Sequence, residues 1–375
     1  MTINFFGDFK VDHPENLLRG ERLAALMGSA HHNVTNFEAP VKDDKCRPIS
    51  KSGPSICQPV ESAQRMKEWG CDIVSLANNH ALDYGQRGIQ LTLDALDGVN
   101  TIGGGNSEQA FRMHIMDDDG LRVGIMALTQ REFGVHDEIV SHNMLIGTAG
   151  MSAHDIHNHI VCCRQRVDCL VLYIHAGIEE VEQPLPELRQ LYRQFLTAGA
   201  DAIIASHPHT PQGWEMVDGK PIFYSLGNFC FEKSFPVRNL WQQSLVVTLV
   251  IDKLQGVVFT THLCRYDIAH QCVELCDDDV AFRHHIERIN DVLQSPDEYM
   301  ETVNAYCDRL LPFYDWTVEA YGLRRFHPVA ELKRFVKRIL HRNPGNTPNH
   351  LVNTLQCEVH RWAYLRGLRR LLSED

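Results

Sequence analysis

Along the first two hundred residues, short apolar runs alternate with stretches whose apolar residues recur every three or four positions. INFF, NVTNF, DIVSLA, LVLYI and IIAS have the length and β-branched content of buried strands. Between them NLLRGERLAALMG, VESAQRMKEWG, GQRGIQLTLDALDG and PLPELRQLYRQFLTAGA carry the period of amphipathic helices. This alternation predicts a mostly parallel sheet covered by helices on both faces. FRMHIMDDDGLRVGIMAL and WEMVDGKPIFYSLGNF depart from it: each sets Asp-Gly between two apolar runs, which predicts a hairpin. SLVVTLVID, GVVFTTHLC and the weaker CVELC read as further antiparallel strands. From about Val280 onward the strand signal stops. AFRHHIERINDVLQ, PDEYMETVNAYCDRLL, PVAELKRFVKRILHR and NHLVNTLQCEVHRWAYLRGLRRLLSE are helical in period and separated by Pro, Gly or Asn. The pattern divides the chain into a mixed-sheet domain over residues 1–275 and a helical extension over residues 276–375.

The polar residues that close the strands are of one chemical kind. Asp8 ends INFFGD, Glu38 ends NVTNFE, and Asn78, Asn79 and His80 end CDIVSLANNH. His175 ends CLVLYIH, and His207 and His209 flank Pro208 after DAIIAS. An α/β sheet carries its functional groups in the crevice beyond the carboxyl ends of its strands, so these distant positions are expected to meet. Carboxylates, an amide and imidazoles together suit two divalent cations, with Mn, Fe or Zn compatible with the nitrogen and oxygen donors. A carboxylate between two such ions lets them sit about 3.5–4 Å apart. Proline disfavours helix at the residue before it, so His207 is expected to be extended. In an extended segment His207 and His209 point to the same side. Asn79 has an oxygen to offer an ion, and His80 beside it is placed to give a proton to a leaving oxygen. Asp83 is placed to cap the helix that follows.

These residues carry a resemblance. Gly7-Asp8, the NFE of Asn36–Glu38, SLANNHALDYG at Ser75–Gly85, the HAG of His175–Gly177, HPH and KPIFYSLGNF resemble the CapA family of capsule and poly-γ-glutamate biosynthesis proteins. The fold of that family is similar to calcineurin-like metallophosphoesterases, and the match runs in order over residues 3–232. It implies a four-layer α/β/β/α sandwich of mixed sheets, followed here by the helical extension. Carried over by position, it implies Asp8 and His209 on a first metal, Asn79, His175 and His207 on a second, and Glu38 bridging both. It also implies His80 as the proton donor, with Asn36, Asn78 and Asn228 supporting the ligands or facing substrate. The chain departs from the phosphoesterase pattern at Lys10, where a histidine ligand is lacking. It departs again at His175–Gly177, where the family's usual HWG-type turn reads HAG and a tryptophan is absent.

Composition narrows the function further. Net charge is -12, and residues 301–375 hold twelve Lys and Arg against eight Asp and Glu, which leaves -16 on the first 300 residues. A body this acidic disfavours nucleic-acid binding, which rests on basic phosphate contacts, and with it a nuclease. No apolar stretch approaches the roughly 18 residues of a membrane span, and MTINFFGDFK lacks a signal-peptide pattern; a cytoplasmic location is expected. The 12 cysteines include no CxxC pair and read as reduced core thiols. The last helix, with Arg361, Arg366, Arg369 and Arg370, reads as packing its apolar face on the body in preference to a membrane. Gly103–Gly105 lacks the spacing of a nucleotide fingerprint and reads as a turn. Lys51, in the long loop after Glu38, is available to an anion. The function expected is a metal-dependent hydrolase acting on a phosphate ester in capsule or extracellular-polymer biosynthesis. Its substrate is an anionic small molecule or polymer, and its partners are capsule-assembly proteins. The alternative is a polymer-assembly component that binds an anionic chain without phosphatase activity.

Overall fold

The computed structural model describes residues 1–138, 146–232, 239–319 and 347–373. The helix expected over PVAELKRFVKRILHR lies outside them. Two nine-stranded sheets form the body. The first is centred on Thr2–Lys10, which pairs in parallel with His32–Phe37; Ile73–Ser75 and Asn100–Ile102 continue the parallel series. On its other side Gln243–Asp252, Gly256–Asp267 and Cys272–Leu275 follow antiparallel. In the second sheet Leu121–Thr129, Cys169–His175, Ala202–Ser206 and Lys220–Phe223 run parallel. Both expected hairpins are present, His114–Asp118 with Leu121–Thr129 and Trp214–Val217 with Lys220–Phe223. At their tips Asp119 and Gly120 have φ of 49° and 78°, and Asp218 and Gly219 of 50° and 77°. Positive φ at both turn residues gives the twist a two-residue hairpin requires.

Side-chain alternation assigns the layers. Leu170, Leu172 and Ile174 join Ile160 of helix Ile156–Arg164 and Tyr192 and Phe195 of helix Pro186–Ala198. Their neighbours Cys169, Val171 and Tyr173 pack instead with Ile3, Phe5 and Val34 of the first sheet. The far face of that sheet, with Phe6, Phe9, Phe37 and Val74, is covered by Leu23 and Met27 of Glu21–Ser29 and by Ala63 and Met66 of Val60–Glu68. The order is helix, sheet, sheet, helix, which is the four-layer sandwich of mixed sheets expected. The single sheet with helices on both faces, predicted from alternation alone, is corrected. Strands such as Cys169–His175 are apolar on both sides, and a continuous apolar run does not reveal whether a helix or a second sheet covers each.

Beyond the last strand come helices Val280–Gln294, Pro296–Glu319, Thr347–Gln356 and Glu358–Ser373. Phe282, Ile286 and Ile289 enter the core between the sheets, and Tyr299, Val303, Cys357 and Val359 join the outer cluster of the second sheet. The last helix packs on the body as expected: Val359 and Ala363 join the outer cluster of the second sheet, and Arg366 donates to Glu187 at 2.6 Å. No helix among the described residues is long and apolar enough to cross a membrane. The twelve cysteines are free and mostly buried. Gly104–Gly105 is a short edge strand paired with Gly147–His154, so the turn expected at Gly103–Gly105 is only partly right.

The strand bearing Asp8 contains an irregularity that positions it. Phe5 faces the other sheet and Phe6 the helices, so strict alternation would group Asp8 with Phe6 and Phe9 with Phe5. Instead Phe6 and Phe9 share the helix-covered cluster. The register with His32–Phe37 shifts between Phe5 and Asp8, and that with Asn228–Phe231 shifts between Asp8 and Phe9. A bulge of this kind re-aims a side chain; here it turns Asp8 toward the second sheet. Gly7 permits it. A Cβ there would lie 1.8 Å from the Gly227 carbonyl oxygen, which accepts a hydrogen bond from the Asp8 amide at 3.1 Å. Gly7→Ala is therefore expected to destabilise the protein by about 3 kcal/mol or more, the upper range for overpacking a filled interior. Gly28→Ala, in helix Glu21–Ser29 with nothing within 4 Å of the added atom, is expected to be neutral or to stabilise by up to about 1 kcal/mol. Denaturant unfolding of both variants against the parent checks the pair.

Candidate metal centre

Parallel strands of both sheets end at one edge of the sandwich, and the residues that close them meet there. Asp8, Glu38 and His175 each place a ligand-type atom within 4.8 Å of the other two. His175 Nε2 lies 3.0 Å from Asn79 Oδ1, 3.0 Å from His207 Nδ1 and 3.9 Å from Glu38 Oε2. His209 Nε2 lies 3.6 Å from the other Glu38 oxygen, and His209 Nδ1 lies 3.8 Å from Asp8 Oδ2. None of these six residues is more than 6 % exposed. The structure thus brings all six expected ligands to one place, with His175 Nδ1 also 3.5 Å from Asp8 Oδ1.

Hydrogen bonds fix which atoms are presented. Asn228 Nδ2 donates to the carbonyls of His209 and Trp241, which sets its amide so that Oδ1 accepts from His209 Nδ1 at 2.8 Å. His209 Nε2 is then the nitrogen turned to Glu38. His175 Nδ1 rests against Ser206 Oγ and the Asn36 amide, each at 3.2 Å, leaving Nε2 to face Asn79 and His207. Asn36 also donates to Asp8 Oδ1 at 2.8 Å and accepts from Asn78 Nδ2 at 3.0 Å. Asn36 and Asn228 therefore touch the expected ligands directly, and Asn78 acts through Asn36. Outer partners of this kind hold a ligand's tautomer and orientation.

His80 Nδ1 lies 2.6 Å from Asp83 Oδ2. Asp83 is fully buried and also takes the Ile56 amide at 2.7 Å and the Lys51 ammonium. The cap expected of Asp83 is absent: helix Gly85–Ala95 starts after Tyr84 with no side-chain cap bond. A carboxylate without water takes charged donors, which bond it more strongly than a helix amide. Lys51, expected in a loop open to an anion, is only 5 % exposed, and its Nζ lies 3.1 Å from His80 Nδ1 as well. Lys51 and His80 thus share the Asp83 carboxyl group.

His207 and His209 address the centre together, but not through the extended chain expected of them. Their φ angles are 105° and 56°, a left-handed conformation that costs of order 1–3 kcal/mol for each residue. The strand ends at Ser206 and the backbone turns, with the His207 amide donating to Asp8 Oδ2 at 3.2 Å. Gly177 makes room: a Cβ there would lie 2.7 Å from the Pro208 ring. Lys10, which stands where a histidine ligand is lacking, is turned away to Asp12 and the Glu232 carbonyl. Sequence reasoning missed Gln130 and Trp241. Gln130 Nε2 lies 3.1 Å from His207 Nε2, and its Oε1 accepts from the Gly177 amide at 2.9 Å. It follows the apolar strand Leu121–Thr129, so the strand-end rule that found the others could have found it. The Trp241 ring lies 4.4 Å from that of His209, an aromatic supplied from a stretch, NLWQQ, that carries no signal.

Two adjacent buried carboxylates dominate the electrostatics. Burial, and then Asp8, push the Glu38 carboxyl well above its ordinary range. Burial acts on Asp8 in the same sense, but His175, His209 and Asn36 outweigh it and hold Asp8 below the carboxylate range. Burial and then His175 lower His207 to about 3, so its imidazole is neutral. Among the described residues Glu38 Oε1 has no hydrogen-bond partner, which is costly for a buried oxygen unless a cation meets it. Carboxylate, amide oxygen and neutral imidazole around an unsatisfied oxygen are a donor set that fits a divalent cation. In the ion-free protein the folded state keeps a proton on Glu38 that the unfolded chain releases above 4.5. The native state then binds more protons, and stability falls as pH rises through that window. Asp8 acts the opposite way, but its contribution is lost only below its unfolded value of 3.8. His207, held neutral in the fold, acts against Glu38 below its unfolded value of 6.5, so the melting temperature of chelated protein is expected to fall as pH rises above about 6.5, and Glu38→Gln to flatten that fall. An unchanged slope in thermal melts of the variant contradicts this.

Residues 12–233 match the family model described as bacterial capsule synthesis protein PGA_cap. Capsule biosynthesis protein CapA of Bacillus anthracis is 29% identical over 209 residues, covering 53% of this chain and 50% of that protein. PGA biosynthesis protein CapA of Bacillus subtilis (strain 168) is 30% identical over 215 residues, covering 56% of each. The chain spans about half the length of these curated relatives. Among solved structures, the 5'-nucleotidase from Candida albicans SC5314 superposes with a TM-score of 0.40 over 80% of this chain and 56% of its own, at 10% identity. That likeness is too weak to carry the role of any residue. The family match covers more than half of the chain and holds every residue of the centre from Glu38 to Asn228, and the chain belongs to the bacterial capsule synthesis protein family PGA_cap.

Proposed function

We propose that this chain is a metal-dependent hydrolase acting on a phosphate ester in the assembly of a capsule or another extracellular polymer. The observation that carries the reading is the convergence of Asp8, Asn79, His175, His207 and His209 around Glu38, whose buried Oε1 has no hydrogen-bond partner among the described residues. The family supplies the setting, since two relatives are named for capsule and PGA biosynthesis.

In this reading Asp8, His209 and Glu38 would hold one divalent cation, and Asn79, His175, His207 and Glu38 a second; Mn, Fe and Zn all suit the donors. Bound there, such ions supply Lewis acidity to a phosphoryl oxygen and to an attacking water. The chain's own residues do the rest. Asn36 holds Asp8 and His175 in register with each other. Asp83 engages His80 at Nδ1, so Nε2 is the nitrogen from which a proton passes to the departing oxygen. Lys51 and the Ile56 amide hold the Asp83 carboxyl group in place through that transfer. Trp241 and Phe231 flank His209 and exclude water from that side.

The names of the relatives favour a second reading, since they specify polymer synthesis and no hydrolysis. In it the same centre binds an anionic polymer chain without cleaving a phosphate ester. Asp8→Asn and His209→Ala are each expected to lower Mn-dependent hydrolysis across a phosphoester panel by more than about 100-fold, beyond the cost of losing one outer partner of a metal site. Circular dichroism is expected to be unchanged. Wild-type activity in either variant rules the hydrolase out, and an inactive parent that binds polyglutamate or a glycan phosphate tightly selects the second reading. His80→Ala is expected to cost about 10²–10⁴-fold on an alkyl phosphate and far less on an aryl phosphate, whose leaving group departs without a proton. Equal losses on the two substrates remove His80 as the acid.

A further inference from the structure

The described residues contain a second group of metal-type donors. Glu132, Cys357 and His360 place a carboxylate oxygen, a thiol sulfur and a ring nitrogen within 4.8 Å of one another. Glu132 lies in the segment after strand Leu121–Thr129, and the other two lie where helix Thr347–Gln356 meets helix Glu358–Ser373. The Cys357 amide bonds the Asn353 carbonyl, and the Cys357 carbonyl accepts from the Arg361 amide. The backbone is thus helical through the junction, and residues three apart share a face. Cys357 is buried, while Glu132 and His360 are half-buried.

Two of the donors, Glu132 and His360, are also oriented from outside. Gln130 Nε2 donates to Glu132 Oε1 at 2.8 Å, and the Tyr314 hydroxyl lies 2.9 Å from His360 Nδ1. Contacts of this type aim the ligands of a metal site. Burial raises the Glu132 carboxyl, but His360 and His207, with the Gln130 bond, bring it below its ordinary range, so it is an anion. A core thiol beside a histidine pair would account for Cys357 and His360 alone. It does not account for a carboxylate set against that thiol: burial, and then Glu132 and Glu358, push Cys357 well up. A cation bound there would displace the thiol proton and be held by carboxylate, thiolate and imidazole together.

We propose that Glu132, Cys357 and His360 form a site for one transition-metal ion of the zinc type, separate from the centre at Asp8–His209. Sulfur, imidazole and carboxylate are the donors of tetrahedral zinc sites, here with a fourth position for water. The thiolate selects Zn or Co over Mg or Ca. An ion held there ties the last helices to the segment of Gln130, which in turn contacts His207 at 3.1 Å. The site does not depend on what the strand-end centre binds.

Cobalt(II) alone reads this site separately. Thiolate ligation gives a near-ultraviolet sulfur-to-metal charge-transfer band, which carboxylate, amide and imidazole donors lack. The 375-residue chain, chelated and then titrated with Co²⁺, is expected to develop this band with one equivalent assigned to it. Asp8→Asn is expected to keep the band and Cys357→Ser to lose it, while His360→Ala weakens the cobalt affinity it reports by more than about 10-fold. Should Cys357→Ser fail to fold, His360→Ala and Glu132→Gln carry the test. A folded parent without the band, a band unchanged in these variants, or a band lost in Asp8→Asn each overturns the proposal.

Discussion

Asp8 and Glu38 lie next to one another with no solvent exposure, and two buried carboxylates both repel each other and forgo hydration. Burying an unpaired ion costs several kcal/mol even after the protein relaxes, so the surrounding chain is organised to meet that charge. Asn36, the His207 amide, His175 and His209 all turn toward Asp8. The bulge in Thr2–Lys10, the glycine at position 7 and the positive φ of His207 and His209 follow from the same need. Strain kept at such positions persists because the packing around them over-determines the backbone. What remains unmet is Glu38 Oε1, and that remainder is the physical reason to place a cation beside it.

The sandwich makes this arrangement available. Two mixed sheets set back to back present parallel strand ends from both at one edge, so the donors come from separate strands that a single sheet would spread apart. Tyr173 stitches the layers, its hydroxyl donating to the Phe6 carbonyl at 2.5 Å just before the bulge. The C-terminal helices brace the same edge from outside. Asn349 donates to the Ser50 hydroxyl and the Lys51 carbonyl, and Glu358 accepts from the Arg131 amide. The loop that carries Lys51 and the segment that carries Gln130 are thereby both fixed by residues from the far end of the chain.

Much of this was legible in the sequence because strand ends in an α/β fold are a physical address. Glu38, Asn79, His207 and His209 follow apolar strands, His175 ends one, Asp8 sits at a bulge inside one, and all meet. Facing was harder to read. INFFGDFK gives no sign that a bulge intervenes between Phe5 and Phe9, since alternation presumes an unbroken pleat. Strand Gly147–His154, mostly small residues, and helix Ile156–Arg164, with two histidines and paired cysteines, lack a clear apolar period. Asp83 looked like a cap because its true partners, Lys51 and Ile56, lie in a loop that pattern reasoning does not position. Glu132, Cys357 and His360 are invisible for the same reason: nothing local relates a loop after Thr129 to the start of the last helix.

Anomalous diffraction from crystals grown with Mn²⁺ tests the central claim most directly. Two peaks about 3.5–4 Å apart are predicted, one bounded by Asn79, His175 and His207, the other by Asp8 and His209, with Glu38 between. A well-ordered map with no ion in contact with Glu38 would contradict the account.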